Sequence, residues 1–113
     1  MAQHEVWRGS TGVEYRYLTL EIGARPQEVY GNYIFAKRNP SGGWDAVYVG
    51  QGDLSTRADI NMHHRGDYIR TKGATHVHIR ENLSLQERML ERADILDAHP
   101  EAYEPAGCHK AAS

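Results

Sequence analysis

Hydrophobic and polar residues alternate along residues 14–22 (EYRYLTLEI). Tyr15, Tyr17 and Thr19 point one way, and Arg16, Leu18, Leu20 and Ile22 mostly the other. This is the two-residue period of a strand. With residues 5–8 before it and the turn Gly9-Ser10-Thr11-Gly12 between, the segment reads as an N-terminal β-hairpin. Residues 23–29 carry Pro26 and form a connection. A second β region covers residues 30–37 (YGNYIFAK). Asn39-Pro40-Ser41-Gly42-Gly43 is a strong turn signal, and residues 44–50 (WDAVYVG) return as the partner strand.

Beyond Gly50 the period changes. Over residues 54–64, Leu54, Ala58 and Met62 recur at helical spacing, with Asp53 or Ser55 as the N-cap. Residues 65–73 read as a polar connection. Residues 74–81 (ATHVHIRE) alternate again, with Thr75, Val77 and Ile79 on one face and His76, His78 and Arg80 on the other, as in a half-exposed strand. Ser84-Leu85-Gln86-Glu87 is a capping box that opens a helix to about Ala98, where His99-Pro100 stops it. On that helix Leu85, Met89 and Leu96 define the buried stripe. Glu91 falls off it with Glu87 and Asp94, so periodicity alone makes it a surface acid. The expected fold class is α/β in the α+β sense: a small, mainly antiparallel sheet flanked by helices, with an extra N-terminal β-hairpin.

Composition narrows the function classes. A chain of 113 residues with 40% hydrophobic and 25% charged side chains is expected to be one globular domain. No apolar run approaches the ~20 residues of a membrane span, so no membrane partner is expected. The opening MAQHEVWRGS lacks the apolar stretch of a secretion signal. One cysteine, Cys108, excludes an internal disulfide and any multi-cysteine metal site, which fits a reducing cytoplasm. Net charge is −2, which excludes a general basic coat for nucleic acid. Charge is uneven, however. Between Arg57 and Arg80 five basic residues (Arg57, Arg65, Arg70, Lys72, Arg80) face two acidic ones (Asp59, Asp67), beside four of the seven histidines. That local excess is a footprint for phosphate. His76 and His78, with His63 and His64, lack the cysteine or acid that would complete a zinc set.

Two strand-borne tripeptides carry the more specific signal, Gly31-Asn32-Tyr33 and, fifteen residues after Tyr33, Tyr48-Val49-Gly50. Arg57 follows Tyr48 by nine residues, a Gly-Ala-Thr-His-Val-His strand comes next, and Glu91 precedes Pro100 by nine in the closing helix. In this order the residues resemble a GIY-YIG nuclease domain over residues 31–105. The expected organisation is then a single domain over residues 1–113, made of a hairpin extension at 5–22, the GIY-YIG-like core and a tail at 106–113. The chain departs from the family pattern at Asn32, where a hydrophobic residue is usual, and at Gln51, where several members carry lysine. Tyr103 and Glu104 occupy the region of a frequent asparagine.

The resemblance implies a metal-dependent endonuclease that hydrolyses phosphodiester bonds in DNA through a single-metal, tyrosine-assisted mechanism. It assigns Tyr33 as general base, Tyr48 to the nucleophile side, Arg57 to the scissile phosphate, and Glu91 as the carboxylate ligand of one Mg²⁺ or Mn²⁺ ion. The base role has a cost. A phenol with pKa near 10 is about one part in a thousand ionised at pH 7, a penalty of roughly 4 kcal/mol. On a helix over residues 54–64, Arg57, Asn61 and His64 share one face. With Arg65 and Lys72 they form a candidate phosphate-binding set. DNA is the expected partner, at weak intrinsic affinity, with a protein partner or a homodimer as further possibilities. The alternative is a catalytically weak or inactive module of the same fold that binds nucleic acid or protein.

Overall fold

The computed structural model describes residues 3–110. Five strands, β1 (Gln3–Arg8), β2 (Glu14–Glu21), β3 (Tyr30–Arg38), β4 (Trp44–Asp53) and β5 (His76–Glu81), form one sheet. Their order is β1-β2-β5-β3-β4, and every neighbouring pair is antiparallel. Helices α1 (Leu54–Arg57), α2 (Gly66–Thr71) and α3 (Leu85–Ala98) flank the sheet, and a 3-10 turn at Pro100–Ala102 follows α3. The expected α+β class with an N-terminal hairpin is the observed one. No helix of the described residues is long and apolar enough to cross a membrane.

The sheet is covered on both faces. One face carries Trp7, Tyr17, Ile34, Ala36 and Val49 against Ile95 and Leu96 of α3. The other carries Tyr33, Phe35, Val47 and Val77 against Leu54 of α1, Ile69 of α2 and Cys108. β3 lies between β5 and β4 and is buried from Gly31 to Ala36, which explains its near-continuous apolar run.

Three expectations fail locally. The helix over residues 54–64 stops at Arg57. Asp59 breaks it: the carboxylate accepts from the Asn61 N–H at 2.9 Å and the carbonyl from those of Met62 and His63, which replaces the helical ladder by turns. Arg57, Asn61 and His64 therefore share no helix face. The connection expected over residues 65–73 instead contains α2, whose Ile69 is fully buried. In β5 the polar face is only partly open: His76 and Arg80 are half-buried, and His78 between them is fully buried with its Nδ1 accepting from Trp7 Nε1 at 2.8 Å.

α3 starts as expected, with Ser84 Oγ accepting from the Glu87 N–H. Its buried face differs from the predicted stripe. Leu85, Met89 and Leu90 are more than half exposed, whereas Arg88, Glu91, Ile95 and Leu96 are buried. The tail differs too: residues 106–110 run along β4 as an ordered strap, with Cys108 wholly buried. Residues 111–113 of the predicted tail lie outside the described residues.

Candidate active site

Tyr33 on β3 is directly opposite Gly50 on β4. A Cβ at Gly50 would fall 2.3 Å from Tyr33 Cζ, so the tyrosine ring lies across a position that only glycine can occupy. Tyr48 pairs with Phe35, and its ring stacks with that of Tyr33 at 6.1 Å and 16°. The two tyrosines of the tripeptides thus share the sheet face away from α3.

His63, from the turns after α1, closes this cluster. Its Nε2 is 3.0 Å from the Tyr33 hydroxyl, and its Nδ1 accepts from the Arg65 N–H at 2.9 Å. Nδ1 needs its lone pair for that bond, so the neutral ring carries its proton on Nε2 and donates to Tyr33. The His63 ring stands edge-on to Tyr48 at 4.8 Å, and exposed His64 stacks flat on it at 4.7 Å and 16°. Burial, then the charges of His64, Arg57 and Arg65, push the His63 pKa down to about 4. Burial pushes the Tyr33 hydroxyl well above the ordinary phenol range, reinforced by Tyr48. Arg57 and Arg92 act in the opposite direction.

Arg57 is exposed at the end of α1. Its stem passes over Gly52, where a Cβ would sit 3.0 Å from Arg57 Cγ and where φ is +141°. Among the described residues the ion pairs join Arg80 to Glu91 and His99 to Glu101, so Arg57, Arg65 and Arg70 have no carboxylate partner. Beside His63 opens a cavity of about 740 Å³ lined by Asn61, His64, Arg65, Tyr68 and Arg70. Arg70 donates to Asn61 Oδ1 at 2.9 Å, and the Arg65 guanidinium lies over the Tyr68 ring at 4.9 Å. Tertiary folding therefore brings Asn61, His64 and Arg65 to one cavity without the helix that was to align them. Lys72 is turned away, donating to the Pro105 carbonyl at 2.6 Å.

Glu91 lies elsewhere. Asn32 and Tyr33 are successive residues of β3, so their side chains take opposite faces. Asn32 donates to the Arg88 carbonyl at 2.9 Å and accepts from Asn82 at 3.2 Å, and Asn82 also donates to Glu91 at 3.3 Å. Glu91, a residue of α3, is on that face. Tyr17 donates to its other carboxylate oxygen, and Arg80 approaches to 3.7 Å. Burial raises the Glu91 pKa, against Tyr17, Arg80 and Asn82, which lower it.

Two of the departures noted in the sequence, Asn32 and Gln51, belong to this network. Gln51 accepts from Arg88 Nε at 3.0 Å, where a lysine would oppose a guanidinium. Asn32 satisfies a helix carbonyl in the interior.

A Mg²⁺ or Mn²⁺ ion requires open oxygen ligands and keeps several waters. Glu91 is 3% exposed, both of its oxygens are engaged, and a cation already stands beside it. The residues present do not fit that metal at Glu91. No group of three or more His, Cys, Asp or Glu among the described residues is arranged to hold an ion elsewhere.

No family model, curated protein or solved structure matches this chain. His63 was absent from the sequence-derived site because nothing in the periodicity distinguishes it from His64. Only the chain reversal at Asp59 turns it inward.

Proposed function

We propose that the protein cleaves phosphodiester bonds in DNA at the Tyr33–Tyr48–Arg57 site. The observation that carries this reading is the hydrogen bond from His63 Nε2 to the Tyr33 hydroxyl, within the field of Arg57, a cation without a carboxylate partner among the described residues. Arg57 supplies charge and paired donors for phosphate oxygens that gain charge in the transition state. Asn61, His64, Arg65 and Arg70 hold flanking phosphates in the adjoining cavity. Tyr33 as phenolate takes the proton of the water that attacks phosphorus, the P–O bond to the departing sugar oxygen breaks, and that oxygen takes a proton from solvent; the His63 N–H and the charges of Arg57 and Arg92 favour the phenolate and burial opposes it. No step passes through a metal at Glu91. The buried thiol of Cys108 suits a reducing cytoplasmic setting.

A second reading, a module that binds DNA without cutting it, is favoured by the burial of Tyr33 and the engagement of Glu91. Nicking of supercoiled plasmid and of a branched DNA at low salt separates the two. Wild type and Tyr33→Phe are compared with Mg²⁺, with Mn²⁺ and with chelator. Cleavage by wild type alone supports the enzyme. Salt-dependent binding with no cleavage under any condition overturns it in favour of the binding module.

A further inference from the structure

We propose that His109, on the C-terminal strap, is a positioning residue for Tyr48. The inference rests on the reading of Tyr48 as a residue of the cleavage site.

β4 is an edge strand, and Tyr48 lies on it between two backbone groups that β3 does not satisfy. The strap takes both. The Cys108 N–H donates to the Val47 carbonyl at 3.0 Å, and His109 Nε2 accepts from the Val49 N–H at 3.0 Å. The strap therefore grips the strand on either side of Tyr48. The His109 ring is stacked with the Tyr48 ring at 4.5 Å and 22°, a closer pairing than that of Tyr48 with Tyr33.

The grip is rigid because the strap is itself anchored. Gly107 N–H donates to the Tyr103 carbonyl and His109 N–H to that of Ala102, both at 2.9 Å, and the Glu104 N–H returns to the His109 carbonyl at 2.7 Å. A Cβ at Gly107 would lie 2.2 Å from the Ala102 oxygen, so the strap passes directly against the 3-10 turn. His109 is 9% exposed and cannot swing out without breaking these contacts. The Val49 N–H demands a lone pair on His109 Nε2, which places the ring proton on Nδ1. One imidazole thus closes the sheet edge and holds the ring of Tyr48, whose hydroxyl position follows from two side-chain torsions.

The test compares wild type with His109→Ala, His109→Phe and His109→Gln. It reads three quantities: hydrogen exchange of the Val49 amide, the resonances of a ¹³C-labelled Tyr48 ring, and kcat and KM for plasmid nicking. His109→Ala should accelerate Val49 exchange, shift the Tyr48 ring resonances and lower kcat about tenfold with KM within about twofold, as misplacement of a reacting group does. His109→Phe keeps the stacked ring and should retain most of kcat while the Val49 amide exchanges freely. His109→Gln keeps the acceptor and should protect Val49 while losing kcat. Wild-type kcat in His109→Ala, or equal loss in the Phe variant and the Ala variant, would overturn the proposal. If wild type cuts no DNA, the cleavage reading fails, and the Tyr48 resonances alone decide the positioning: unchanged shifts in His109→Ala and His109→Gln would sink it.

Discussion

His63 donates its only ring proton to the hydroxyl of Tyr33, 3.0 Å away, because its other nitrogen is committed to the Arg65 backbone. A phenol that accepts such a bond is better placed to release its own proton, although burial works against it. If Tyr33 acts as phenolate, the cleavage rate should climb about tenfold per pH unit from pH 7 to 9. A flat pH profile in wild type would remove Tyr33 from the base role. Tyr33→Phe should abolish cleavage and lower stability by only about 1 kcal/mol, the cost of one hydrogen bond.

Glu91 should prove to be a structural acid. Glu91→Ala leaves the buried Tyr17 hydroxyl without its partner and frees the partly exposed Asn82 and Arg80, at a cost on the order of 2 kcal/mol. Urea denaturation measures this, and an unchanged midpoint would show the carboxylate to be dispensable to the fold. Restoration of cleavage in a stably folded Glu91 variant by raising Mn²⁺ would return the residue to a ligand role.

Acid should weaken the fold in a defined window. His63, His78 and His109 are each pushed down to about 4, chiefly by burial. Between pH 6.5 and 4 the unfolded chain therefore binds protons that the native state refuses. Stability is full above that window and falls as pH drops through it. His78→Gln cannot titrate at this position and should flatten the pH dependence of the urea midpoint, by on the order of 2 kcal/mol. An unchanged slope in that variant would assign the effect to the other two histidines.

Asp94 ties α3 to the N-terminal hairpin. It accepts from Ser10 Oγ, the Thr11 N–H, Thr11 Oγ1 and Tyr15 Oη, at 2.7–3.0 Å. Gly9 passes so close that a Cβ would lie 1.9 Å from Asp94 Oδ2. Burial raises its pKa, and the bonds from Tyr15, Thr11 and Ser10 together outweigh that and hold it at about 2. Its stabilisation is present above pH 4 and lost as pH falls towards 2. Asp94→Ala should cost about 1–2 kcal/mol and free the Ser10–Thr11 turn to exchange. Retained protection of the Thr11 amide would count against this anchor.

Arg65 and Arg70 should act on DNA through charge. Replacing either by alanine weakens binding and reduces the slope of log K against log salt by about one. Equal slopes in wild type and both variants would mean that DNA bypasses the cavity.

Local chemistry made much of this fold legible. The Gly9–Gly12 and Asn39–Gly43 turns, the period-two strands and the Ser84 cap act through neighbours a few residues apart, and each appears where the pattern puts it. The helix over residues 54–64 failed for an equally local reason: Asp59 bonds its own following backbone, and that competition outweighed the spacing of Leu54, Ala58 and Met62.

By itself the sequence determined the strands, the hairpins, and the start and stop of α3. Only the tertiary structure decided which polar side chains go inside. Leu85 and Met89 remain in solvent while Arg88 and Glu91 are buried, because Gln51 and Tyr17, far away in sequence, join Asn82 from the segment before α3 in supplying the hydrogen bonds that make their burial tolerable. The same holds for His63 against Tyr33 and His109 against Tyr48. Hydrophobic period registers the cost of burying a polar group, but the partner that offsets this cost is brought up by the fold.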